Sequence, residues 1–133
     1  MALLNSKWFG GRGAPRTTRE AGASAEDAAL AHLLAAGLLL VQRNYRTPGR
    51  GGGEIDLVMR EPCGTLEFVE VRARGAATHG GAAASVGAVK QRRIVLAARH
   101  YLLRHASPPP CRFDVVALDG ERVEWLQAAF DAG

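Results

Sequence analysis

The chain has 133 residues, one domain's worth, and its 47% hydrophobic and 23% charged content place it with ordinary soluble globular proteins. The formal net charge is +4, and all the basic residues except Lys7 and Lys90 are Arg, which leans toward a polyanionic partner or toward GC-rich coding. Two cysteines, Cys63 and Cys111, exclude a disulfide framework and lack zinc-knuckle spacing, and no apolar run approaches the ~18 residues of a membrane span, so a cytoplasmic protein with reduced, semi-buried thiols and no membrane partner is expected.

Residues 1–22 are rich in Gly, Ala, Arg and Thr without periodicity and read as a disordered basic arm, leaving 23–133 as the folded domain. Ser24 is an N-cap candidate for a helix running to about Ala36, where Gly37 supplies the left-handed stop. A strand is expected from Leu38 to about Tyr45, then a flexible glycine-rich loop from Thr47 to Gly53. Glu54–Arg60 and Leu66–Ala73 read as strands of a hairpin joined by Glu61-Pro62-Cys63-Gly64. Gly75–Ala84 is a second glycine- and alanine-rich loop. A long helix is expected from about Ser85 to His105, with Ile94, Ala97, Ala98, Tyr101 and Leu102 as its apolar stripe, ended by Pro108-Pro109-Pro110. Arg112–Leu118 and Arg122–Leu126 read as a last hairpin about Asp119-Gly120, followed by a short helical turn. The expected order is α-β-β-β-α-β-β, an α/β domain with a mixed sheet.

Residues two apart on a strand share a face. A turn centred on Cys63 sets Val58 opposite Phe68, Asp56 opposite Glu70 and Glu54 opposite Arg72. The first pair is apolar and the last is an ion pair, but Asp56 facing Glu70 among Ile55, Leu57, Val69 and Val71 is a repulsive match. Such a pair shares a proton, recruits a cation or leans on Arg72. Hard oxygen ligands suit Mg²⁺ or Mn²⁺ with a phosphate substrate, and a plain ion-pair network about Arg72 is the structural alternative. Glu26 lies on the apolar stripe of the first helix with Ala29, Leu30 and Leu33, and Lys90 precedes the stripe of the long helix, so both are candidates to reach the sheet or to snorkel at its edge.

Gly53-Glu54-Ile55-Asp56-Leu57-Val58, Phe68-Val69-Glu70-Val71-Arg72, Lys90-Gln91-Arg92-Arg93-Ile94 and Arg112-Phe113-Asp114-Val115-Val116 resemble, in order and spacing, the YraN family of uncharacterised bacterial proteins. The resemblance covers the chain from about residue 22 and implies a restriction-endonuclease-like fold, a central mixed β-sheet flanked by helices, akin to archaeal Holliday-junction resolvases. It implies metal-dependent hydrolysis of a phosphodiester in nucleic acid, DNA above all, with Asp56, Glu70 and Glu26 as ligands of Mg²⁺ or Mn²⁺. Arg72 stands where the wider superfamily has Lys; a guanidinium stays protonated and cannot act as a base, though it stabilises phosphate charge. Lys90 is the candidate replacement from the helix. Arg50, Arg92, Arg93 and Arg99 are the candidate phosphate contacts. No recognition helix or stacking platform is evident, so selectivity is expected for shape. The alternatives are a nucleic-acid-binding module with a weakened site and an interaction adaptor with a vestigial carboxylate pair. Resolvase relatives act as dimers, which makes a homodimer an expectation by analogy.

Among the other candidates, His79 lies in the second loop, His32, His100 and His105 fall on helices without partner ligands, and Ser85 reads as a helix cap. Asp114 reads as half of a structural ion pair, with Arg112 or a helix N-terminus as its partner, or as a support of the site, and Trp125, Tyr45, Tyr101 and Phe130 read as core or edge packing.

Overall fold

The computed structural model describes residues 18–73 and 86–133, and of residues 18–21 the backbone alone. The greater part of the expected basic arm, together with His79 and Ser85, lies outside the described residues. Among them two helices and five strands follow the expected order: α1 (Thr18–Ala35), β1 (Leu39–Arg46), β2 (Glu54–Arg60), β3 (Leu66–Ala73), α2 (Ala88–Leu102), β4 (Cys111–Asp119) and β5 (Arg122–Phe130). The sheet runs β1-β2-β3-β4-β5, antiparallel throughout except for the parallel pair β3–β4, whose crossover carries α2. No helix among the described residues is long and apolar enough to cross a membrane.

Each helix covers one face of the sheet. Ala29 and Leu33 of α1 pack with Leu57, Met59, Val69, Val116 and Leu118, while Ile94, Ala97, Ala98 and Tyr101 of α2 pack with Val58, Phe68, Phe113, Val115 and Ala117. α1 begins at Thr18, so Ser24 sits inside the helix instead of capping it. Alanine at 21, 23 and 25 favours helix strongly enough to carry the chain through Gly22. The expected stop holds: Gly37 has φ 101°, and Leu38 N–H bonds back to the Leu33 carbonyl at 3.1 Å.

Three other expectations change. The loop 47–53 is pinned, because Thr47 N–H donates to the Gly53 carbonyl at 3.0 Å and Gly53 N–H donates to Thr47 Oγ1 at 2.8 Å. β5 continues to Phe130 where a helical turn was expected. Buried Asp114 captures the Ala128 N–H at 3.0 Å, Ala128 takes φ 52° as a bulge, and Phe130 returns to stack on Phe113 with ring centroids 5.1 Å apart. Cys63 and Cys111 are free and exposed, since one lies in the β2–β3 turn and the other opens β4.

The strand pair β1–β2 changes sides at one point. Arg43 and Tyr45 should share a face, as should Ile55 and Leu57. Yet Arg43 reaches α1, Tyr45 and Ile55 lie in the α2 core, and Leu57 lies in the α1 core. Between them stand Asn44, with φ 53°, and Asp56. One left-handed residue on β1 rolls the pair over and turns Asp56 off either core face.

Candidate metal and phosphate site

The β2–β3 ladder matches the expected register from Arg60–Leu66 to Leu57–Val69 and ends there. Beyond it, Asp56 Oδ2 accepts the Val71 N–H at 2.8 Å, a side chain taking the place of the next rung. Glu70 comes off the same strand end onto the α2 face, 3% exposed. Its Oε2 lies 3.6 Å from Arg72 Nη1 and 3.7 Å from Lys90 Nζ, while buried Oε1 has no hydrogen-bond partner among the described residues.

Half-buried Asp56 and buried Glu70 act on each other in opposite directions where the β2–β3 ladder ends. Burial, then the charge of Asp56, pushes Glu70 up to about 8, against the pull of Lys90 and Arg72. Asp56 is also raised, first by burial, while the Val71 amide and the shared Glu70 proton draw it back. Glu70 is therefore the carboxyl of the two that keeps its proton toward neutral pH. A donor set of hard oxygens with an unpartnered buried Oε1 fits a small divalent cation that keeps several waters.

Glu26 is not the third member. Its Oε1 receives Arg43 Nη2 at 3.0 Å, Arg43 Nε at 3.2 Å and Asn44 Nδ2 at 3.1 Å, so β1 holds it, and Asp56 feels it only as a charge. Among the described residues no three His, Cys, Asp or Glu side chains converge as a metal cluster, which leaves Asp56 and Glu70 as a two-carboxylate site. The expected Glu54–Arg72 ion pair also gives way: Glu54 takes Arg46 at 3.2 Å across β1–β2, and Arg72 turns to Glu70.

The candidate phosphate contacts divide. Lys90 and Arg93, three apart on α2, line a cavity with the loop 47–53, whereas Arg92 and Arg99 line a separate groove with Val95, Leu96 and Phe130. Arg50 is exposed on the loop and lines neither.

A second buried charge cluster was missed in the sequence. On the α1 side of the sheet, fully buried Glu67 and Asp114 surround Arg112, whose Nη2 lies 2.9 Å from Glu67 Oε2 and whose Nε donates to Asp114 Oδ1 at 3.0 Å. Arg112 Nη1 also reaches Glu61 at 2.6 Å, and Trp125 Nε1 donates to Asp114 at 2.9 Å. The expected Arg112–Asp114 pair is thus real, within a larger network. Burial, then a proton shared with Glu61, raises Glu67 to about 8 and lowers Glu61. Its signal was present: Glu67 stands between Leu66 and Phe68 on the central strand, where a Glu must be paired or protonated.

A mixed sheet sheathed by one helix on each face, with half-buried Asp56 beside buried Glu70 where the β2–β3 ladder opens and Lys90 reaching Glu70 from the crossover helix, defines a small α/β protein with a candidate carboxylate site. The chain belongs to Uncharacterised protein family UPF0102, whose model matches residues 25–118, the family that the four motifs resemble. It is 67% identical to a UPF0102 protein of Paracidovorax citrulli over the whole of both chains, and 64% identical to one of Acidovorax sp. over 99% of each. A UPF0102 protein of Albidiferax ferrireducens is 66% identical over 87% of this chain and 91% of its own.

Proposed function

We propose that this protein is a divalent-metal-dependent phosphodiesterase acting on nucleic acid, DNA above all, by backbone shape and not by base sequence. The observation that carries the reading is Glu70: a carboxyl 3% exposed beside Asp56 where the β2–β3 ladder ends, with Arg72 at 3.6 Å and Lys90 at 3.7 Å from Oε2 and, among the described residues, no hydrogen-bond partner for Oε1. Two cations over one buried carboxyl suit a phosphate, and the unpaired oxygen suits a metal ion.

Asp56 and Glu70 would hold Mg²⁺ or Mn²⁺, which when bound activates water and neutralises a scissile phosphate. The chain's own residues divide the remaining work. Asp56 fixes the geometry, because its Oδ2 is anchored on Val71 N–H. Glu70 would have to be ionised to hold the cation, so binding is expected to release a proton. Arg72 stays charged and stabilises the anionic oxygens, and Lys90 does the same from α2. Calorimetry with Mn²⁺ tests the reading: the wild type binds with proton release, and Asp56→Asn and Glu70→Gln lose binding. Absence of binding in the wild type removes the metal site and the mechanism with it.

Arg72 in the usual lysine position favours one second reading, a nucleic-acid-binding module that retains the site without turnover. Branched DNA bound but uncut in Mg²⁺ or Mn²⁺ selects it over the first. Under the first reading, unchanged cleavage by Lys90→Ala would remove Lys90 from the mechanism.

A further inference from the structure

The glycine-rich loop between β1 and β2 is built into a wall. Gly53 lies so close to α2 that a Cβ there would stand 1.8 Å from the Arg93 carbonyl oxygen, and Thr47 closes the loop's base. A cavity of about 400 Å³ opens between this wall and α2, with Arg46, Lys90 and Arg93 facing one carboxylate, Glu54. Glu54 holds Arg46 at 3.2 Å. Among the described residues no aromatic side chain lines the cavity, while three cations beside small glycines suit a phosphate approached by backbone and guanidinium. Lys90 belongs to two places at once: it lines this cavity, and its Nζ lies 3.7 Å from Glu70 Oε2.

We infer that the cavity is a phosphate subsite, taking the nucleic-acid phosphate next to the one at Asp56 and Glu70, with Arg46 and Arg93 as its anchors and Lys90 shared between the two. The inference rests on the phosphodiesterase reading and sharpens it. The strand is held at two successive phosphates on one side of Lys90 and the other, which gives the site a direction along the strand. Arg46, silent in the sequence, becomes a specificity residue.

The test uses the full chain in EDTA, with a fluorescein-labelled single-stranded oligodeoxythymidine followed by anisotropy across a KCl series. Arg46→Gln and Arg93→Gln each weaken binding severalfold and reduce the salt slope by about 0.7, the value for one phosphate contact to a single strand. Arg122→Gln, the same charge change at the exposed β4–β5 turn, leaves both unchanged. Wild-type binding with slopes identical in both cavity variants overturns the subsite and leaves the phosphodiesterase reading standing. Failure of the wild type to bind at low salt overturns the subsite, and the calorimetry with Mn²⁺ decides the phosphodiesterase reading separately. Inorganic phosphate provides an independent measurement: amide resonances of Gly51–Gly53 shift on titration in the wild type and stay still in the Arg46→Gln/Arg93→Gln double variant, and still resonances in the wild type overturn the subsite.

Discussion

Replacing Glu67 by Gln tests whether the fully buried carboxyl beneath Arg112 is held protonated. Burial and the proton shared with Glu61 raise it from 4.5 to about 8 in the folded chain. The folded state therefore binds more protons than the unfolded one between those values, and stability falls as pH rises across that window. At 1.36 kcal/mol per pH unit the loss between pH 5 and pH 8 approaches 3.5 kcal/mol as an order-of-magnitude bound. Arg112 is a quarter exposed and admits water to the cluster, which reduces the expected change to about 2–3 kcal/mol. Glu61 has the opposite sign, but its value is lowered, so its contribution is lost only as pH falls below the window. Gln mimics the protonated acid, donating to Glu61 and accepting from Arg112, and carries no proton to lose. Urea unfolding in EDTA, followed by tryptophan fluorescence at pH 5 and pH 8, should find Glu67→Gln close to the wild type at pH 5 and more stable than it by that amount at pH 8. An equal difference at the two pH values would refute the protonated-carboxyl reasoning.

Gly53→Ala forces backbone to move at the β1–β2 loop, since its Cβ would stand 1.8 Å from the Arg93 carbonyl and 3.1 Å from Ala97 Cβ; a loss of about 2–4 kcal/mol in urea unfolding is expected. Trp125→Phe removes the indole donor from buried Asp114 and should cost about 1.5–3 kcal/mol, read as a shift in the urea midpoint with unchanged slope. Arg43→Ala releases Glu26 and Asp27 together and should cost about 1 kcal/mol, with most of the loss suppressed in 1 M KCl because the cluster is part-exposed.

Element order and the β2–β3 register were legible because period-two alternation and a marked turn leave little freedom. The pairs Val58–Phe68 and Leu57–Val69 form as the turn at Cys63 requires. Alternation then failed at Asn44 and Asp56, where one left-handed residue changed the face of everything beyond it. That is why Glu54 was assigned to Arg72 when its partner is Arg46. Glu26 was read correctly as facing the sheet, but Arg43 comes from a strand whose pairing the helix pattern does not reveal. The β5 extension depended on a carboxylate fourteen positions away taking the Ala128 amide, a long-range bond with no local signal. The four candidate arginines were grouped by charge, and helical phase separates them: Arg93 turns with Lys90 toward the glycine loop, and Arg92 turns with Arg99 to the other groove.

The single parallel pairing in the sheet sets an order of assembly. β1, β2 and β3 form by short closures, and so do β4 and β5, but Leu66 meets Cys111 only after the whole α2 crossover has been looped back. Relative to the β2–β3 turn that closure is longer by roughly three doublings, an added entropy cost of about 2 kcal/mol. Asp56 and Glu70 sit inside the early meander, whereas Lys90 arrives with the crossover and Arg112 with the late hairpin. Of the two cations beside Glu70, Arg72 thus comes on the carboxylate's own strand, and Lys90 joins only when the crossover closes.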